Sequence, residues 1–150
     1  IEKAKEIFKL SGSSIVTVNK EIDGFILNRL QGALLNEAMR LYSEGYASSE
    51  DIDATIKDGL GLRWAFMGPF ETIDLNAPGG IKDYMARYGS IFIEMAKSQT
   101  KIPDWSENAG KKLELERRKV LSEDDLEKRA KKRNFLLKQL RKLKIDNDET

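Results

Sequence analysis

The chain has 150 residues, 40% of them apolar and 34% charged, with a formal net charge of +1. That size fits one ordinary domain, or one domain plus a piece of another, and the composition is that of a soluble, helix-rich globular protein rather than a disordered one. There is no Cys and no His, which excludes disulfides, thiolate metal sites, a Cys nucleophile, and the commonest general base and metal ligand near neutral pH.

The first residues, Ile1 to Glu6, are charged and amphipathic and resemble no secretory signal. Ala4, Ile7, Phe8 and Leu10 predict a short helix over residues 2–10, ended by Gly12. Ser14-Ile15-Val16-Thr17-Val18 is rich in β-branched residues and reads as a strand. A lone strand must find a partner for its backbone groups. The helix-then-strand order therefore reads as the tail of a sheet domain whose remainder precedes this chain.

Asp23 is the expected N-cap of a long helix over residues 24–44, with Gly45 as its stop. Ile26, Leu30, Leu34, Ala38 and Leu41 form an apolar stripe, while Gly24, Asn28, Gln31, Gly32 and Leu35 share another face. Small residues there permit close approach by another element or a ligand. Ser48 and Asp51 form a capping-box pattern for a helix through Asp58, ended by Gly59. Residues 59–69 read as an irregular, aromatic-rich loop. Pro69 suits the first turn of a helix over 69–76, and Pro78 the start of the next, with Gly89 as a candidate break. After a turn at residues 102–105, two more helices are predicted over 105–120 and 123–144, the second capped by Ser122. The expected architecture is all-α, a bundle of five to seven helices behind a short helix-strand remnant.

Charge is unevenly spread. Residues 1–110 carry 12 basic and 16 acidic side chains, residues 111–144 carry 14 basic and 6 acidic ones. A basic block can mark nucleic-acid contact. Here Phe135 is its only aromatic and acids such as Glu114, Glu116 and Glu127 are interleaved, which favours a solvated helix face laced with salt bridges over nucleic-acid binding.

Two residues stand out chemically. Asn28 lies one turn inside a helix, between Leu27 and Leu30, where Asn is a poor choice on propensity grounds. Its carboxamide offers a donor and an acceptor without charge, suited either to a structural partner or to the oxygen of an alcohol or ketone as negative charge develops there. Arg63 lies between Gly61 and Trp64. Its guanidinium suits bidentate binding of a carboxylate or phosphate, or an internal salt bridge to Glu71 or Asp74. Gly59-x-Gly61 is no dinucleotide fingerprint, since a helix precedes it and Trp64 stands at the third glycine position. Trp64, Phe66, Phe70 and Trp105 read as core or interface packing, and no zinc spacing, nucleophile elbow or P-loop is present.

Gly24-Phe25-Ile26-Leu27-Asn28-Arg29-Leu30, Asn36-Glu37-Ala38-x-Arg40-Leu41, Asp51-Ile52-Asp53 and Gly68-Pro69-Phe70-Glu71 together resemble the C-terminal domain of the 3-hydroxyacyl-CoA dehydrogenase family. Gln31, the string from Gly59 to Pro69, Leu75-Asn76-Ala77 and Ile102-Pro103-Asp104-Trp105-Ser106 resemble its lambda-crystallin branch, which is identified with L-gulonate 3-dehydrogenase. The resemblance implies a helical bundle like the C-terminal domain of 6-phosphogluconate dehydrogenase. It makes residues 1–19 the tail of a missing N-terminal Rossmann domain, and residues 20–150 the substrate and dimerisation domain. It implies NAD bound by that missing domain, a homodimer formed through the helices, a small hydroxy-acid substrate, and no nucleic acid or membrane. Asn28 matches the family's active-site Asn. Arg63 would hold the carboxylate of a free hydroxy acid in place of contacts to a CoA thioester. The implied whole is a cytoplasmic NAD-dependent 3-hydroxy-acid dehydrogenase oxidising L-gulonate to 3-dehydro-L-gulonate, inactive as this fragment. The alternatives are a true 3-hydroxyacyl-CoA dehydrogenase and a catalytically silent structural module.

Overall fold

The computed structural model describes residues 15–147, and among them all regular structure is helical. In chain order these are α1 (Phe25–Ser43), α2 (Ser49–Ala54), a π-helical turn (Thr55–Leu60), α3 (Gly61–Trp64), α4 (Pro69–Leu75), α5 (Gly80–Ser98), α6 (Glu107–Val120), a 3₁₀ turn (Glu123–Asp125) and α7 (Leu126–Asn147). The helix expected over residues 2–10 lies outside the described residues. Residues 15–18, expected as a strand, carry no regular structure, because no described residue supplies the neighbour a strand needs for its hydrogen bonds. The chain divides into two compact units, and the division falls inside α1, after Asn36.

In the first unit, α1 is entered through a turn in which the Phe25 N–H donates to the Ile22 carbonyl at 3.1 Å. Gly24 has φ +80° and Phe25 φ +50°. The left-handed region suits glycine but strains a bulky aromatic residue, so the turn that starts the helix stores strain at Phe25.

In the second unit, α1 ends as expected at Gly45. With φ +78°, Gly45 donates to the Tyr42 carbonyl at 3.1 Å, and Tyr46 donates to the Leu41 carbonyl at 2.9 Å. This is the Schellman arrangement that satisfies the last carbonyls of a helix. Ser48 caps α2 as its spacing predicts, its hydroxyl accepting from the Asp51 N–H at 3.1 Å.

The next segment departs from expectation. Gly59 does not end the helix, and residues 59–64 are not an irregular loop: α2 runs on through the π turn into α3. The wider turn brings the Gly61 N–H to the Ile56 carbonyl, five residues back. A Cβ at Gly61 would lie 2.8 Å from that carbonyl oxygen, so the glycine permits the turn rather than breaking the helix. An interior glycine costs a helix about 1 kcal/mol and no more. Pro69 then imposes the stop by disfavouring helical backbone at Gly68, whose ψ is 174°.

Helix α4 begins at Pro69 as predicted. Helix α5 begins at Gly80, two residues beyond Pro78, and passes through Gly89 unbroken. The α4–α5 turn is locked by two carboxylates: Asp74 Oδ1 accepts from the Ile81 N–H at 2.6 Å and Asp83 Oδ2 from the Gly79 N–H at 3.2 Å. Ser122 does not accept a capping hydrogen bond; its hydroxyl donates to Asp125 at 3.0 Å.

Few side chains are enclosed. Among the described residues only Met39, Ala77, Ser49 and Thr72 are buried. Trp64, Phe66, Phe70 and Trp105, expected as core or interface, are all exposed; as core residues that expectation fails.

Candidate functional site

Asn28 stands one turn into α1, within the first unit. It is exposed, and its carboxamide makes no hydrogen bond with another described residue. The internal partner that a mid-helix Asn calls for is thus not present among the described residues. The face around it is bare: Leu27 is 76% exposed and Leu35 44%, and a Cβ built on Gly32, one turn further on, would touch nothing within 4 Å. An uncharged donor and acceptor on a bare face can orient an oxygen that both gives and accepts hydrogen bonds.

Arg63 lies in α3, one turn beyond the π turn, in the second unit. It is exposed and pairs with no described residue. The salt bridges considered for it do not form: Asp74 accepts from the Ile81 N–H instead, and Glu71 makes no ion pair with a described residue. A guanidinium held on a helix with its donors open can grip a carboxylate in a bidentate manner. The two candidates fall in different units.

Other charged groups serve the scaffold. Arg40 donates through Nε to Glu37 Oε2 at 2.8 Å and through Nη1 to Glu44 Oε2 at 3.0 Å, and its guanidinium lies 5.7 Å from the Tyr46 ring centroid. The Arg40 hydrogen bond holds the Glu37 carboxyl below its usual value, and Glu37 in turn raises the Arg40 pKa.

The residue that sequence reasoning missed is Glu116. One of its oxygens accepts from both the N–H and the hydroxyl of the buried Ser49, each at 2.7 Å. The Tyr42 phenol also acts on this carboxylate. These bonds, the Ser49 hydroxyl first, hold the Glu116 carboxyl below its usual value, while burial and then Glu116 push the Tyr42 phenol up. A negative charge at the N-terminus of α2 also suits the helix dipole. Beside it, Arg117 pairs with Asp53 at 3.2 Å, so α6 is clasped to α2 by polar groups. The only signal in the sequence was an acid among basic residues, 67 positions from its partner.

Among the described residues no group of three or more His, Cys, Asp and Glu is placed to hold a metal ion. No helix of the described residues is long and apolar enough to cross a membrane. The basic block carries ion pairs of Lys111 with Glu107 and Lys131 with Glu127, each at 2.6 Å, besides that of Arg117.

Comparison with known proteins bears on this arrangement. Residues 24–123, which include both Asn28 and Arg63, match the model of the 3-hydroxyacyl-CoA dehydrogenase, C-terminal domain. Lambda-crystallin of the rabbit, Oryctolagus cuniculus, is 41% identical over 146 residues, covering 96% of this chain and 46% of that protein. The lambda-crystallin homolog of Homo sapiens is 36% identical over 146 residues, with the same 96% and 46% coverage. L-carnitine dehydrogenase of Streptomyces coelicolor is 41% identical over 87 residues, covering 57% of this chain and 27% of that enzyme. The chain spans about half the length of the lambda-crystallins it matches.

Proposed function

This chain belongs to the 3-hydroxyacyl-CoA dehydrogenase family as its C-terminal domain, and from that premise we propose that it completes the substrate cleft of an NAD-dependent 3-hydroxy-acid dehydrogenase. The observation that carries the reading is the Asn28 carboxamide, exposed on α1 and bonded to no other described residue. Its NH₂ group donates to the oxygen on C3 of the substrate, where charge develops as alcohol and ketone interconvert, and a preorganised donor there is worth about 10²–10³ in rate. Arg63 takes the substrate carboxylate.

The Gly59-x-Gly61 pair does not form a dinucleotide-binding loop. Gly59 and Gly61 lie inside a helical segment, with Trp64 where a third glycine would stand. NAD would be the hydride acceptor held by a preceding Rossmann domain, of which residues 1–19 are the tail, and no cofactor step is assigned to this chain.

A free hydroxy acid, rather than an acyl-CoA, is favoured by the open guanidinium of Arg63 and by the likeness to an L-carnitine dehydrogenase, whose named substrate is a free carboxylate. L-gulonate, oxidised to 3-dehydro-L-gulonate, is the reading carried by the lambda-crystallin likeness. The homodimer is formed through helices such as α5, which has no buried residue and leaves Met85, Ile91, Phe92 and Ile93 each at least half exposed. The absence of Cys suits a reducing cytoplasm.

Turnover by the full-length protein tests the substrate class. L-gulonate is expected to be oxidised with NAD and 3-hydroxyacyl-CoA left untouched; the reverse preference overturns the reading. Arg63→Leu is expected to raise KM for carboxylate substrates about 10- to 100-fold with a smaller change in kcat. An equal effect on an uncharged analogue would refute the clamp.

A further inference from the structure

Between α7 and the π turn lies a groove of about 980 Å³. Its floor is aliphatic, formed by Leu126, Leu137 and Leu140 of α7 facing Leu62. Its rim is cationic, with Lys57, Arg129 and Arg133, and no acidic residue lines it. Arg129 makes no ion pair with a described residue, and among the described residues Arg133 donates only to the neutral side-chain oxygen Oδ1 of Asn134, at 3.1 and 3.0 Å. Lys57 pairs with Asp58 at 3.2 Å, so the uncompensated rim charges beside the apolar trough are those of Arg129 and Arg133. All of it lies within the second unit.

We infer that this groove docks an acidic amphipathic helix of a partner protein. From Leu126 to Leu140 the groove runs for 14 helical steps, about 21 Å at 1.5 Å per residue. Its volume over that length gives a cross-section of about 47 Å², somewhat more than half that of a helix with its side chains, about 10 Å across. A helix laid with its apolar face down fills such a trough, leaving its polar flanks level with the cations. The charge of those flanks is fixed by the rim: acids pair with it and lysines are repelled.

Other occupants fit less well. Helix α7 carries nine basic and two acidic residues, so α7 of a second copy would bring like charge against like. A bilayer surface calls for a helix with cations and apolar residues on opposite faces. On α7 Leu137 and Arg133 both line the groove, while Phe135, Leu143 and Ile145 are exposed elsewhere.

The test is a labelled synthetic helix of about 18 residues, with leucines at i, i+4 and i+7 and glutamates on both flanks, titrated with the 150-residue chain. Fluorescence anisotropy is expected to show saturable binding below about 100 µM, at least about tenfold weaker for the version with lysines in place of glutamates. The exposed double variant R129E/R133E, its helix content checked by circular dichroism, is expected to lose at least about tenfold for the acidic peptide and to regain binding of the lysine version. The inference is overturned by equal binding of both peptides, by no binding of the acidic one, or by indifference to the charge reversal. It is equally overturned if the reversal instead releases the chain from anionic phosphatidylserine vesicles, or if sedimentation shows that it splits a dimer of this chain.

Discussion

The two halves of α1 share one continuous helix and have opposite surroundings. Beyond Asn36, Met39 is 7% exposed and Arg40 is clamped between Glu37 and Glu44. Before Asn36, Phe25 is 62% and Leu30 61% exposed, and Asn28 bonds no other described residue. Helix propensity does not decide exposure: both halves are helical although the amino half includes Asn28 and Gly32. The difference lies in what the flanks are for. The carboxyl half is anchored by its own chain, whereas the amino half displays leucines that cost free energy in water beside a carboxamide that suits a substrate oxygen. Under the proposed function, the bare end of the helix is the part that another lobe would cover.

The contrast can be broken at either end. The largest effect is expected from Asn28→Ala in the full-length protein: kcat should fall about 10²–10³-fold while NAD affinity, measured by fluorescence titration, stays unchanged. An unaltered kcat would leave the bare face without a role.

At the anchored end, Ser49→Ala removes a hydroxyl bonded to a carboxylate and should cost about 1–2 kcal/mol in urea unfolding. Glu116→Gln should also lower the melting temperature, and a variant as stable as the parent would show that the clasp between α2 and α6 is idle.

Acid should act through the same groups. Glu37 and Glu116 both have carboxyls held below 4.5 in the folded chain, so the folded state binds fewer protons than the unfolded one near that pH. Their stabilisation is complete above about pH 4.5 and is lost as pH falls through the folded values. Unfolding followed by circular dichroism should show this decline, and Glu116→Gln should flatten it.

The smallest effect is expected from Leu27→Ser in the 150-residue chain, within about 0.5 kcal/mol, as for surface positions generally. The same change in the full-length protein should be clearly destabilising if another lobe covers that face, and sedimentation and melting curves of both would sharpen the contrast.

Much of this was legible before any coordinates. The Gly45 stop, the Ser48 cap and Pro69 at the head of α4 were readable because each acts through its own backbone within a few residues. Asn28 could be singled out as a candidate because a mid-helix carboxamide is locally unfavourable. What could not be read depends on geometry between distant or subtly shifted groups. In the π turn the hydrogen bonds slip to five residues back, as from Gly61 to Ile56, which no periodicity announces. Glu116 and Ser49 meet across 67 residues. The exposure of Trp64 and Phe66 likewise depends on whether a facing layer exists, and local pattern does not encode that.

The most direct test watches the Asn28 side chain itself. In full-length protein labelled with ¹⁵N-asparagine, the Asn28 NH₂ resonances, assigned through Asn28→Ala, would be followed as L-gulonate is added in the presence of NAD. A saturable shift with the same midpoint as substrate binding is the predicted result. Resonances that stay put while substrate binds would contradict the placing of the reacting oxygen at this carboxamide.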